Sequence, residues 1–318
     1  MAAAERGDAP IPSIVVVGAA ARDITSEDPR GWRLGGGVSY SALTTALLGI
    51  PTGALVGVDE IAAEATELEL LRAAGVDLRL VPLERGPIFE NIETPTGRIQ
   101  RSHGPSDPVP TAALPDEWRD APGWMIAPVA AEIPDDWAAK LPAGGLVAVG
   151  WQGLLREMRP NEVVLHHPPG RSPVVARADL IGVSRDDFDA DIPLAALTSV
   201  MKPGAQLCVT RGAHGGLAMT AGPDGPHDMK AWPPIPPDRI VDPVGAGDVF
   251  LASLLAVRVD PRLVGGRIAH NSDLLLAAAA GSLVLEGKGL LGVPERAQVL
   301  ARMARAVGLA VKPAVATD

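Results

Sequence analysis

The strongest constraint on this chain is a recurring pattern of short, unbroken apolar runs, each followed by a stretch with helical spacing. Ile14-Val15-Val16-Val17 is the first run, and Gly18 closes it. A β-branched run without polar alternation fits a strand covered on both faces, as in a parallel sheet. Residues 38–48 then read as a helix, stopped by Gly49-Ile50-Pro51. Residues 54–58 form another apolar strand, 61–74 have helical spacing up to Gly75, and 76–81 alternate as a strand. Strand, helix, strand, helix, strand predicts an α/β fold.

Residues 88–102 break the rhythm. They alternate polar and apolar residues around Thr94-Pro95-Thr96-Gly97, which predicts a half-exposed hairpin and hence a lid or small subdomain. Strands resume near 124–127, 146–149, 179–183 and 206–210, and Ala/Leu-rich helices fill 246–257, 268–285 and 294–307. The first nine residues read as a loose tail. There is no fixed-period repeat and no linker long enough to separate halves, so a single domain over residues 1–318 is expected.

Composition narrows the function. Acidic residues number 38 against 28 basic ones, a formal net charge of −10. That argues against a broad nucleic-acid face or docking on anionic membranes, both of which need clustered Lys and Arg. A small phosphate ligand is still compatible, provided backbone N–H groups or a metal do the local work. Hydrophobic residues make up 47% of the chain, ample for a core, and with aromatics at 3% that core is expected to be aliphatic. The lone Cys208, in an apolar run, excludes an internal disulfide and a cysteine zinc site. Residues 11–21 are too short to span a bilayer and lack a basic leader, so a cytoplasmic protein is expected. The six histidines offer no metal cluster, since His166 and His167 are adjacent and would face opposite ways on a strand.

The most informative stretch is Asp242-Pro243-Val244-Gly245-Ala246-Gly247-Asp248-Val249. Glycines on both sides of Ala246 let the backbone turn tightly and let a ligand approach it. A helix expected to start at about Asp248 would present unpaired N–H groups there, which suits a phosphate. Asp248 would lie beside that phosphate, placed to take a proton from an attacking hydroxyl. The same residues also read as a simple Asp cap after a glycine turn.

The longer string resembles the signature of the ribokinase family, the phosphofructokinase-B type carbohydrate kinases: Asp-Thr-x-Gly-Ala-Gly-Asp and then a large apolar residue, with Pro243 here in place of Thr. The resemblance implies a three-layer α/β sandwich with a mostly parallel central sheet and a small β lid, here residues 31–38 and 86–103. It implies ATP-dependent phosphoryl transfer to a hydroxyl of a small polyhydroxylated substrate, with Asp248 as general base and Gly245, Ala246 and Gly247 as the anion hole. Gly35-Gly36-Gly37 is similar to the family's hinge, with Tyr40 where an Asn is frequent. Asp23 resembles its substrate-gripping Asp. Asn91 in the hairpin, Gln152 and Arg156 look like the cyclitol and nucleoside branch, which makes them substrate-binding candidates; simple sugars stay open.

Thr210-Arg211-Gly212-Ala213-His214-Gly215 resembles the family's nucleotide-lining turn, which marks Thr210, Gly212 and Gly215. Ser184 and Asp187 stand where the family has Asn-x-x-Glu. Ser184 is thus a nucleotide-side candidate and Asp187 a Mg²⁺ candidate, although the pair also reads as a capped helix start. Gly289, after Lys288, falls where the family closes its adenine pocket and takes a monovalent cation such as K⁺; Leu276 replaces a frequent Asn there. Lid-to-lid homodimers are frequent in that family, so a homodimer is among the expectations. The alternative reading is a non-catalytic sugar- or nucleotide-binding protein of the same fold.

Overall fold

The opening apolar run forms an interior strand of a nine-stranded sheet. The computed structural model describes residues 11–94, 97–266 and 271–310. The expected tail over residues 1–9, Pro95 and Thr96 of the hairpin turn, and the expected helix start at Ile268 lie outside the described residues.

All six residues of β1 (Ile14–Ala19) are buried. The short strands β2 (Ala21–Ile24) and β3 (Trp32–Gly35) follow, then α1 (Gly37–Leu47) and β4 (Thr52–Val58). The helix expected over 61–74 is split into α2 (Glu60–Ala63) and α3 (Leu68–Ala73), which lead to β5 (Asp77–Pro82). The expected hairpin is β6 (Ile88–Thr94) and β7 (Gly97–Ser102). β8 (Gly123–Ile126) and β9 (Leu146–Gly150) precede three two-residue strands: β10 (Arg156–Glu157), β11 (Glu162–Val163) and β12 (Leu165–His166). The remainder is β13 (Leu180–Ser184), α4 (Leu194–Thr198), β14 (Gln206–Thr210), β15 (Gly216–Thr220), β16 (His227–Trp232), α5 (Ala246–Val259), α6 (Ser272–Val284) and α7 (Arg296–Ala310).

The large sheet has the order β16-β15-β14-β13-β9-β8-β1-β4-β5. Its strands are parallel from β14 to β5, and only β15 and β16 run antiparallel. From β1 the chain steps outward through β4 to β5, then returns to the other side of β1 at β8. This reversal opens a crevice at the carboxyl ends of β1 and β8, where ligands bind in open α/β sheets.

One face of the sheet is covered by α1, α5 and α6, whose Val, Leu and Ala residues pack on Val16, Val56, Met125 and Cys208. The other face departs from an aliphatic core. Its layer is made largely of 3-10 turns and α4, and the buried Trp118, Trp124, Trp137 and Trp151 fill it. A short turn buries less apolar area than a helix, and a large aromatic ring compensates by burying roughly 150–250 Å². Two of these indoles also satisfy buried carbonyls: Trp124 Nε1 donates to Ala121 O and Trp137 Nε1 to Val109 O.

A second sheet, ordered β11-β7-β6-β2-β3, stands over the carboxyl end of β1. It takes in β2 and β11 beyond the span expected for a lid, while Gly37 and Val38 open α1 instead. Side-chain ties hold it to the core. Arg22 donates to Asp59 Oδ2 from Nε and Nη2. Glu67 accepts from both Nη atoms of Arg30 and from the Leu34 N–H. Glu67 lies at the break between α2 and α3, as the N-cap of α3. Among the described residues, no helix is long and apolar enough to cross a membrane.

Candidate functional site

α5 starts at Ala246, the first residue of the helix expected over 246–257 and two residues before the start at Asp248 that the glycine turn alone suggests. Its N-cap is Gly245 at φ 82°, so Asp248 is the third helical residue and not the cap. A side chain at position 245 would also collide with the Tyr40 ring, so both the left-handed backbone and the packing demand glycine. The N–H groups of Ala246, Gly247 and Asp248 have no partner within the helix. The space above Gly247 is open.

α1 begins opposite, at Gly37. A Cβ on Gly37 would stand 2.7 Å from Asp248 Oδ1, and one on Gly35 would collide with the Asp23 carboxylate. The Gly35-Gly36-Gly37 turn therefore lies between two carboxylates, and only bare backbone fits there. Asp23 sits on β2, a strand and not a loop, in register with Arg33 on β3 and Phe89 on β6.

Burial pushes the Asp248 carboxyl up to about 7, with Arg156 pulling it down and Asp187 pushing it up. A carboxylate whose pKa lies near neutrality is suited to general-base work. Arg156 is the positive charge coupled to Asp248. Its own burial lowers its pKa, opposed by Asp187, Asp248, Asp23 and Glu132. Its Nη1 donates to Val129 O, its guanidinium lies 5.5 Å from the Phe89 ring centroid, and its buried Nε has no hydrogen-bond partner.

Glu132 was not singled out by its sequence context. It is fully buried and accepts from the backbone N–H groups of Ala19, Val129 and Ala130. It thereby fixes the loop after β8 against the end of β1. Burial raises its pKa, and these N–H groups oppose that shift.

Asp187 and Ser184 form a reciprocal capping box: Asp187 Oδ2 accepts from the Ser184 N–H, and Ser184 Oγ accepts from the Asp186 N–H. Gln152 Nε2 donates to Asp187 Oδ1 at 3.0 Å, so Gln152 orients a carboxylate. Thr210 ends β14 beside Ser184, its register partner, and Gly212 and Gly215 shape the turn that follows. Asn91 lies farther out on the second sheet, where its Oδ1 accepts from Gln100 Nε2. Leu276 is buried in the core, so that position offers no polar contact to a ligand. Among the described residues, no group of three or more His, Cys, Asp or Glu could hold a metal by itself.

Asp23, Gly35 to Gly37, Gly245 to Asp248 and Arg156 thus converge at one crevice, with Gln152, Asp187, Ser184 and Thr210 along its edge. Comparison with known proteins sharpens this picture. Residues 177–296 match the model of the pfkB family carbohydrate kinases. Among solved structures, a pyrophosphate-dependent kinase of the ribokinase family, complexed with a pyrophosphate analog and myo-inositol, superposes with a TM-score of 0.69 at 17% identity, over 91% of this chain and 99% of that one. This is a ribokinase-like fold. The nucleoside kinase of Methanocaldococcus jannaschii, with the same fold, gives a TM-score of 0.66 at 18% identity, over 92% of this chain and 98% of that one. Arabidopsis thaliana ribokinase, complexed with ribose and ATP, gives 0.63 at 19%, over 92% and 99%. No curated protein matches the sequence. Within the ribokinase-like fold, the matched segment 177–296 spans β13 through α6 and so includes the α5 turn.

Proposed function

We propose that this chain is a small-molecule kinase that transfers a phosphoryl group to a hydroxyl of a cyclitol, nucleoside or sugar. The observation that carries the reading is Asp248. It is half-buried beside the unpaired N–H groups of the α5 turn, faces a glycine turn across the crevice, and has its carboxyl pushed up to about 7 by desolvation.

In this reading the acceptor lies against Gly35-Gly36-Gly37. Asp23 accepts hydrogen bonds from its hydroxyls, and Asn91 borders it from the lid. Asp248 takes the proton from the attacking hydroxyl. The N–H groups at Gly245, Ala246 and Gly247 stabilise charge on the group in transfer, and Arg156 adds its positive charge from the side. Closure of the second sheet excludes water, which would otherwise compete as acceptor.

The donor occupies the edge formed by Ser184, Thr210, Gly212 and Gly215, and ATP fits the family resemblance. Mg²⁺ would arrive with the donor phosphates, whose charge it neutralises, and Asp187 is the residue placed to meet it through water. Asp187 retains lone pairs for this, since each oxygen accepts one N–H.

The test is a donor-consumption screen with ATP and, separately, pyrophosphate, each with Mg²⁺, over cyclitols, nucleosides and sugars. Acceptor-dependent consumption in at least one pairing supports the reading. Saturable acceptor binding by calorimetry without turnover of any donor would favour a non-catalytic binding protein.

A further inference from the structure

The resemblance that points to a kinase also points to a monovalent cation at the turn around Gly289. The residues there do not suit one. The carboxylate facing the turn is Asp242, which is buried. Its Oδ1 accepts from the Val244 N–H at 3.0 Å, and its Oδ2 accepts from the Gly289 N–H at 3.1 Å. Arg33 Nη1 lies 3.1 Å from the same Oδ2, a charge pair without hydrogen-bond alignment. Gly289 therefore turns a donor, not an oxygen, toward the carboxylate, and Lys288 beside it pairs with Glu27 at 3.0 Å. A cation brought to this carboxylate would meet a guanidinium already in place.

We propose that Arg33 is a built-in substitute for that cation. Its guanidinium comes from β3 of the second sheet and reaches the carboxylate that leads into the Gly245–Asp248 turn. The positive charge that orders the α5 turn is then covalently part of the lid, and the chain needs no monovalent cation. Arg33 is a positioning residue: it acts through Asp242 and the backbone of Val244 and Gly289. β3 also pairs with β2 so that Arg33 is in register with Asp23. One strand pair thus carries both the acceptor-side acid and the charge that supports the donor-side turn.

The rate arm of the test rests on the kinase reading, and the stability arm does not. Thermal unfolding of the wild type and of Arg33→Ala is compared in chlorides of K⁺, Na⁺ and tetramethylammonium at equal ionic strength, and turnover is measured in the same salts. The wild type is expected to show the same midpoint and the same rate in all three. Arg33→Ala is expected to lose about 10-fold or more in turnover and to unfold earlier, because a buried carboxylate loses its partner. Added K⁺ or methylguanidinium should restore part of both. A K⁺-specific rise in midpoint or rate for the wild type overturns the proposal. So does an Arg33→Ala variant that behaves like the wild type, or one whose defect no cation rescues, which would assign Arg33 to joining the two sheets and nothing more. If no acceptor is turned over, the midpoints alone decide: the kinase reading then fails while the cation claim stands or falls separately. If Arg33→Ala does not fold, the salt series on the wild type decides.

Discussion

Asp248→Asn separates two consequences of one half-buried carboxylate. Its pKa moves from 3.8 to about 7 on folding, because burial penalises the charged form. At about 1.36 kcal/mol per pH unit, roughly three units give a ceiling of ~4 kcal/mol. The sign follows from the raised pKa. Below the unfolded value the group is protonated in both states and costs nothing. As pH rises from about 4 toward 7 the unfolded chain ionises first, and stability falls by up to that amount, then levels off. Asn keeps the shape without the charge, so the difference in melting temperature, variant minus wild type, should grow by several degrees between pH 4 and pH 8. Over the same range the variant should lose roughly 10²- to 10⁴-fold in kcat, the usual contribution of a general base. Because Gly245, not Asp248, is the N-cap, no capping loss should offset the gain in stability. Differential scanning fluorimetry across pH reads the first effect, and turnover with a responsive donor and acceptor reads the second. A pH-independent difference in melting temperature would refute the burial argument. Retained turnover would refute the role as base.

Three further substitutions test the surroundings. Gly37→Ala should keep the fold and lower kcat by about 10-fold or more, because a methyl group 2.7 Å from Asp248 Oδ1 must displace that carboxylate, and small misplacements of reacting groups are costly; circular dichroism checks the fold and steady-state kinetics the rate. Asp23→Asn should raise KM for the acceptor by about 10-fold while leaving the donor KM nearly unchanged, since an amide accepts hydroxyl protons less well than a carboxylate; equal effects on both would point to a structural role. Asp187→Ala should raise the Mg²⁺ concentration for half-maximal rate and also cost about 1 kcal/mol of stability through loss of the capping box; an unchanged Mg²⁺ dependence would leave capping as its whole function.

The parts of this molecule that follow local rules were legible in its sequence. The β-branched run at Ile14 to Val17 reads as a doubly covered strand and is one. The alternation through residues 88–102 reads as a hairpin and is one. The Gly245-Ala246-Gly247-Asp248 turn marks the amino end of a helix, and the left-handed backbone at Gly245 sets its start at Ala246, as the run over 246–257 reads, rather than at Asp248. What escaped was set by partners distant in sequence. Glu132 looks like any loop acid until the end of β1 brings the Ala19 N–H to it beside the local N–H groups of Val129 and Ala130. Arg33 and Asp242 are more than two hundred residues apart, and nothing near either one announces the other. The tryptophan-filled layer was missed because 3-10 turns carry no long hydrophobic period to detect. Gln152 reads as substrate-binding, and the sequence does not show that its amide also donates to Asp187, a contact that depends on how β9 and β13 lie side by side.

The central claim is that a hydroxyl of a bound small molecule attacks a phosphoryl group beside Asp248. The most direct measurement is ³¹P NMR of the wild-type reaction with Mg²⁺, donor and the responsive acceptor. A phosphomonoester resonance should grow as the donor disappears, only when acceptor is present, and should be absent with Asp248→Asn over the same time. Inorganic phosphate as the sole product, or a phosphomonoester formed equally fast by the Asn variant, would contradict the account.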